Sequence, residues 1–200
     1  ETGAGQWGSS LAFAGQMFGI DIEVFMVKVS FDQKPYRKLM MQSFGATCHP
    51  SPSDLTDFGK KLLSEDSNNP GSLGIAISEA IEAVVKSGGN AKYSLGSVLG
   101  HVLMHQTING NEALLQMEQA GDYPDIIVGC TGGGSNLAGL MFPFLGQQLR
   151  GGQKIDIIGC EPLSCPSFTK GVYAYDHGDM ARMTPLIKMH TLGSDFLPPA

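Results

Sequence analysis

The chain alternates short apolar runs with segments whose apolar residues recur at helical spacing. Runs rich in β-branched and apolar residues over 22–29, 125–130 and 155–160 predict buried strands. Between residues 73 and 86 the apolar side chains follow the period of a helix. Continuous apolar strands separated by helices predict an α/β fold with a mostly parallel sheet that is covered by helices on both faces.

Weaker patterns and turn residues predict the remaining elements. A turn is predicted at Pro50 to Ser53, with Ser53 or Asp54 capping the helix that follows. The run Asn109-Gly110-Asn111 predicts a bend between two helices, and beyond Pro166 the pattern predicts loops. The other helices are predicted over residues 7–18, 36–44, 98–107, 112–119 and 137–149, and the other strands over 46–49 and 93–95.

The composition favours a globular protein with a substantial core. The chain has 200 residues, of which 42% are hydrophobic, enough for one large domain or two small ones. A formal net charge of −6 argues against nucleic acid or an anionic membrane as a partner. No apolar run reaches the roughly 18 residues of a membrane span. The four cysteines form no CxxC pair, which predicts reduced thiols and a cytoplasmic location.

A glycine loop follows the predicted strand 125–130. Residues 131–136 read TGGGSN and precede a predicted helix. Glycines let backbone N–H groups converge on an anion, and the helix adds its unpaired N-terminal donors, so the pattern predicts a phosphate site. The loop lacks the Lys-Ser/Thr ending of a nucleotide-triphosphate loop, and Leu137 stands where GxSxG needs glycine. A tight turn without a ligand is the alternative interpretation.

A second glycine run opens the chain. Gly3 to Gly8 spell GxGxxG ahead of a predicted helix, and Asp32 follows at about the distance of a ribose-binding acid. This spacing is typical of nicotinamide dinucleotide-binding folds, although the strand that should precede the motif is not visible in the sequence. A dehydrogenase is therefore one hypothesis for the function.

Longer segments resemble the tryptophan synthase β chains, which are fold-type II pyridoxal-phosphate enzymes. The resemblance covers nearly the whole chain and is closest to the second, longer type of β chain, because Trp7 replaces the histidine of the common type. The segments that carry it are ETGAGQWG (1–8), MVKVSFDQKPYRKLMM (26–41), NPGSLGIAISEAIE (69–82), KYSLGSVLGHVLMHQT (92–107), YPDIIVGCTGGGSNLAGLMFPFL (123–145) and TPLIKMHTLGSDFLPP (184–199).

The resemblance implies roles for particular residues. Glu1 would be the acid–base carboxylate near the leaving hydroxyl of serine and the indole nitrogen, and Glu161 would lie beside the pyridoxal ring. The substrate carboxylate would be bound by Thr2, Gly3, Ala4, Gly5 and Gln6. The phosphate of pyridoxal 5'-phosphate would be held by Gly132, Gly133, Gly134, Ser135 and Asn136, with Ser97 as a further contact.

The same resemblance implies how the chain is organised. Residues 1–95 would be mainly the smaller, mobile α/β domain, and residues 96–200 would be part of the larger cofactor-binding domain. The Schiff-base lysine of the family lies upstream of the ETGAGQ segment, so the chain is expected to be an internal piece that is inactive alone. The family implies a homodimer acting on L-serine and indole, and an α-chain partner is left open.

Other functions remain alternatives at this point. Another fold-type II enzyme that replaces or eliminates a β-substituent shares the predicted fold, but the ETGAGQ segment argues against it. A non-catalytic binding module predicts a stable monomer. His101 and His105 are four residues apart on a predicted helix, but no third ligand is evident, so no metal site is predicted.

Overall fold

The computed structural model describes residues 1–194, which form two compact units. The first contains Glu1–Leu95 and the chain from Ser167 onward, and the second is Gly96–Pro166. The sequence predicts a boundary at the same place, between residues 95 and 96. It differs in assigning the chain from Ser167 onward to the second domain, whereas the structure places this segment in the first unit.

Fourteen elements make up these residues. In chain order they are α1 (Gln6–Phe18), β1 (Glu23–Val27), α2 (Lys28–Gln33), α3 (Pro35–Ser43), β2 (Thr47–Ser51), α4 (Asp57–Glu65), α5 (Leu73–Lys86), α6 (Gly100–Ala120), β3 (Ile126–Cys130), α7 (Ser135–Leu149), β4 (Asp156–Cys160), α8 (Ser167–Lys170), β5 (Val172–Asp176) and β6 (Ile187–Thr191).

Strand β1 is the centre of the first unit. It pairs in parallel with β2, in a register that runs from Glu23 opposite Thr47 to Val27 opposite Ser51. Alternate side chains enter two different clusters because successive residues of a strand point to opposite faces. One cluster joins Val24 and Met26 to Ala12, Met41, Ala46 and Cys48, and the other joins Phe25 and Val27 to Ala76 and Ala80. Helices therefore cover β1 on both faces, as predicted.

Several boundaries in the first unit differ from the predicted ones. The strand predicted over 22–29 ends at Val27, and α2 begins at Lys28. Helix α4 is capped by Thr56, whose Oγ1 accepts from the Gly59 N–H at 2.9 Å, rather than by Ser53 or Asp54. The Ser53 hydroxyl instead donates to a buried carboxylate of α5 at 2.6 Å. The segment 93–95 forms no strand.

The chain from Ser167 onward contains more structure than the sequence predicts. Strands β5 and β6 form an antiparallel pair in which Val172 lies opposite Thr191 and Asp176 opposite Ile187. Between them, Asp179 is completely buried and fixes the loop to α5 through Ser78. The prediction of loops beyond Pro166 was wrong because a short twisted ribbon gives little apolar periodicity.

The second unit consists of a parallel pair of strands and two packed helices. Strands β3 and β4 pair from Ile126 opposite Asp156 to Cys130 opposite Cys160, and the core is Ile127, Phe144 and Ile155. Burial alternates along β3, where Ile126 is 53% exposed and Val128 is 58% exposed. The prediction that these strands are buried on both faces was therefore wrong for residues 96–166, in which one face of the pair remains open.

Helix α6 is continuous where a bend was predicted. A Cβ on Gly110 would lie 2.4 Å from the Leu140 carbonyl oxygen and 2.7 Å from that of Gly139. The glycine therefore lets α6 and α7 approach backbone to backbone, and it does not break the helix. A sequence pattern cannot distinguish these two uses of a helical glycine.

Candidate functional site

The predicted phosphate loop lies between β3 and α7. Gly134 has φ +92°, a left-handed conformation that favours glycine, and α7 begins at the next residue. The Thr131 N–H donates to the Cys160 carbonyl at 2.7 Å, which ties the loop to the end of β4. The loop therefore lies at the carboxyl edge of a parallel pair, where open α/β sheets place ligands.

Ser97 lies directly against this loop. A Cβ added to Gly133 would come within 2.3 Å of Ser97 Oγ and 2.7 Å of Val98 Cγ1, whereas a Cβ on Gly132 would meet no atom within 4 Å. Only a glycine at position 133 therefore lets the segment with Ser97 lie this close to the loop. The backbone of Gly132 faces open space. The structure places the hydroxyl of Ser97 beside the predicted cradle.

Thr131 adds a buried polar atom that the sequence did not single out. Its Oγ1 is buried and, within residues 1–194, has no hydrogen-bond partner. A buried hydroxyl without a partner is costly, and such groups commonly mark a ligand. Together with the left-handed Gly134 and the N-terminus of α7, it fits the chemistry of a phosphate, which offers only acceptor oxygens to these donors.

The other predicted residues of this unit lie around the same edge. Ser135 is buried at the start of α7, and the Asn136 side-chain amide donates to the Cys130 carbonyl at 3.4 Å. Glu161 directly follows β4 and is partly exposed. Cys130 and Cys160, which end the strands β3 and β4, are both exposed.

The predicted carboxylate-binding segment opens the first unit. Thr2 is buried and forms a parallel bridge with Met26, and its N–H donates to the Phe25 carbonyl at 2.9 Å. Gly5 has φ +94° and precedes α1, which begins at Gln6, in the same way that Gly134 precedes α7. Gly3 and Ala4 lie between them and are partly exposed. A left-handed glycine at a helix N-terminus leaves backbone N–H groups available to an anion.

Glu1 is held beside this segment and faces a phenol. The Tyr93 hydroxyl is buried and, within residues 1–194, makes no hydrogen bond of standard geometry, although Glu1 lies close enough to act on it. Burial raises the pKa of the Tyr93 phenol above its usual range, and the charge and hydrogen bonding of Glu1, followed by the charge of Asp179, raise it further. Tyr93 was not singled out from the sequence because nothing in the pattern connects it with residue 1.

Two buried carboxylates also escaped the sequence analysis. Glu79 accepts hydrogen bonds from the hydroxyls of Ser51, Ser53 and Thr56 and from the Ser53 N–H at 3.0 Å. Asp179 accepts from Ser78, Met183 and Thr184. Burial acts to raise the pKa of the Asp179 carboxyl, but the hydrogen bonds, above all those from Thr184, outweigh it and hold the pKa below its usual value. Both positions read as ordinary polar residues in the sequence.

The predicted residues thus form two groups in different units. Glu1, Thr2, Gly3, Ala4, Gly5 and Gln6 belong to the first unit, and Ser97, Gly132, Gly133, Gly134, Ser135, Asn136 and Glu161 belong to the second.

Residues 1–194 contain no group of three side chains suited to hold a metal ion, and the rings of His101 and His105 pack edge to face at 6.1 Å. Over the same residues, no helix has the length and apolar character needed to cross a membrane.

Comparison with known proteins defines the class. The family model of pyridoxal-phosphate dependent enzymes matches residues 1–195, so the chain belongs to that family. Family membership decides against the nicotinamide hypothesis for Gly3–Gly8. The processed threonine deaminase isoform 2 of Solanum lycopersicum covers 84% of this chain with a TM-score of 0.57 at 21% identity, and the chain covers 38% of that protein. Serine racemase of Dictyostelium discoideum gives a TM-score of 0.50 over 83% of this chain at 18% identity, and the chain covers 44% of it. These likenesses confirm the predicted fold class.

Similarity within the family is more specific. The chain is 60% identical over 199 residues to "Tryptophan synthase beta chain 2" of Aeropyrum pernix and of Thermotoga maritima, and the whole chain is covered. It spans 44% and 47% of these two relatives, which is less than half of their lengths. The predicted resemblance to the second type of tryptophan synthase β chain is confirmed.

Proposed function

We propose that the protein carrying this chain replaces the hydroxyl of L-serine with indole, giving L-tryptophan and water. The proposal is supported chiefly by the 60% identity over the whole chain to relatives named as tryptophan synthase β chains. The reaction breaks the bond between the β-carbon and the oxygen of serine and forms a bond from that carbon to indole. When bound, pyridoxal phosphate supplies the electron sink that makes the β-carbon reactive.

The second unit would hold the cofactor phosphate. Residues 132–136 offer backbone N–H groups at the start of α7, and Ser97 and Thr131 offer hydroxyl donors next to them. These groups would attract a dianion because the helix terminus and several aligned N–H groups carry partial positive charge. Glu161 would lie near the ring, as the family resemblance implies.

The first unit would hold and protonate the substrate. The backbone of Thr2 to Gln6 would bind the carboxylate of serine at the start of α1, where the left-handed Gly5 exposes donors. The Glu1 carboxyl would give a proton to the leaving hydroxyl, which departs as water, and would then accept one from indole. We further propose that these units correspond to the small and the cofactor-binding domains of a cytoplasmic homodimer.

The test uses the whole protein that carries this chain. Serine, indole and pyridoxal phosphate are supplied, and tryptophan is measured by chromatography alongside the visible absorbance of bound cofactor. Gly133→Ala should weaken cofactor binding at least about 10-fold, since its Cβ displaces Ser97. Gly100→Ala, whose Cβ meets no atom within 4 Å, is the matched control.

A different result would identify a different enzyme. Release of pyruvate and ammonia from serine, with no incorporation of indole, would favour another fold-type II enzyme. By the family resemblance, the Schiff-base lysine lies outside these 200 residues. We therefore expect the 200 residues alone to form no tryptophan.

A further inference from the structure

The side chain of Tyr93 is partly buried in the first unit. Its ring packs against the cluster of Phe25, Val27, Ala76 and Ala80, so it is clamped between β1 and α5. The next residue is also tied down, because the indole N–H of Trp7 donates to the Ser94 carbonyl at 3.4 Å. Although residues 91–97 form no helix or strand, the phenol therefore has little freedom to move.

Glu1 is held by the same strand. The N–H of Thr2 donates to Phe25, and the N–H of Val27 donates to the Thr2 carbonyl at 3.2 Å. Phe25 and Val27 thus bind the backbone next to Glu1 through their main chain and pack the Tyr93 ring through their side chains. Strand β1 therefore contacts both the backbone beside Glu1 and the ring of Tyr93.

The phenol acts only as a donor in this environment. Burial and the negative charge of Glu1 keep Tyr93 protonated, because both disfavour the phenolate. Two carboxylates act on it through their charge, Glu1 and Asp179. Both oxygens of Asp179 already accept two hydrogen bonds each, from Ser78 and Met183 on Oδ2 and from the N–H and hydroxyl of Thr184 on Oδ1. Glu1 is therefore the acceptor left for the phenol's single proton.

We infer that Tyr93 is a positioning residue for Glu1. Its hydroxyl donates a hydrogen bond to the Glu1 carboxylate and holds it in the orientation from which it exchanges protons with the substrate. The inference rests on the proposed function, which gives Glu1 its acid–base role.

The first readout is kinetic and uses the whole enzyme. Tyr93→Phe keeps the ring and its packing but removes the donor. We expect kcat to fall by about 10- to 100-fold, the usual effect of losing a hydrogen bond to a charged group, while KM for serine changes less than about 3-fold. Tyr36→Phe is the matched control, since Tyr36 is 82% exposed, and should leave both constants unchanged.

The second readout does not depend on activity. In the whole protein labelled with ¹³C at tyrosine Cζ, the Tyr93 resonance is assigned by its loss in Tyr93→Phe. Glu1→Gln should shift this resonance, whereas that of Tyr123, which bonds Gln147 at 3.1 Å, should stay in place. A Tyr93 resonance that ignores Glu1→Gln, or a Tyr93→Phe enzyme with unchanged kcat, would overturn the inference. A protein that shows the shift but makes no tryptophan would support the contact and refute the proposed function.

Discussion

Ser78 Oγ donates a hydrogen bond to Asp179 Oδ2 at 2.8 Å, although 101 residues separate them in the chain. The same Ser78 oxygen accepts from the Ala181 N–H at 2.9 Å, and the Met180 N–H donates to the Gly74 carbonyl at 3.3 Å. These contacts fasten the loop between β5 and β6 to α5. The last described part of the chain is thereby joined to the first unit by polar contacts around one buried carboxylate.

Replacing Asp179 with Asn should loosen this loop. The amide nitrogen of Asn would face donors that now point at a carboxylate oxygen, which leaves buried N–H groups unpaired. We expect a local loss of about 2 kcal/mol, seen as roughly 30-fold faster hydrogen exchange at Met183 and Thr184. Asp21→Asn, at an exposed position, is the control and should leave their exchange unchanged.

Lowering the pH should remove the stabilisation that the Asp179 carboxylate gives to this loop in the natural protein. The folded pKa of Asp179 lies below the ordinary carboxyl value of 3.8, so its stabilising effect is complete above that pH and is lost as the pH falls through the folded pKa. The difference in exchange protection between the natural protein and Asp179→Asn should therefore be constant from neutrality to about pH 5 and shrink below about pH 4. A difference that is the same at every pH would show that Asp179 is not ionised when folded.

Thr131→Val separates binding from stability. Val has nearly the shape of Thr but lacks the buried hydroxyl, which has no partner among the described residues. Without cofactor, the variant should be as stable as the natural protein or more so, because an unpaired polar atom is removed. With cofactor, we expect binding about 10-fold weaker by absorbance titration. Equal affinities would show that Thr131 does not contact the phosphate.

Gly110→Ala should separate the two helices of the second unit. The new Cβ would lie 2.4 Å from the Leu140 carbonyl oxygen and 2.7 Å from Pro143 Cδ, so a helix must shift. We expect a cost of about 2 kcal/mol and a lower Tm by calorimetry of the whole protein. Gly146→Ala in α7 approaches only the end of Arg150, at 3.6 Å, and should have little effect, given the higher helix propensity of Ala.

The sequence predicts the order of helices and strands well where apolar periodicity is strong. Helix α5 has its predicted bounds, Leu73–Lys86, because its apolar face packs on β1 and Ser72 caps it. The pattern fails where burial is uneven. In β3, Ile126 and Val128 are apolar but more than half exposed in this chain, and composition does not reveal which face of a strand is covered.

Some residues of the candidate site can be recognised from the sequence and others cannot. The glycines of residues 132–134 are recognisable because few backbones need three in succession. Thr131, Tyr93 and Asp179 are not, because their significance comes from burial and from partners that lie far away in sequence. The role of Glu1 came only from the family resemblance, since one carboxylate at residue 1 carries no spacing information.

The position of β1 has a consequence for heat tolerance. Its side chains from Val24 to Val27 are buried, and it contacts both Thr2, beside Glu1, and the ring of Tyr93. The carboxylate to which we assign proton transfer, Glu1, thus lies next to a residue that is bonded to this strand. If Glu1 has the role proposed for it, warming should leave its position intact until the unit itself melts, so that inactivation and melting occur together.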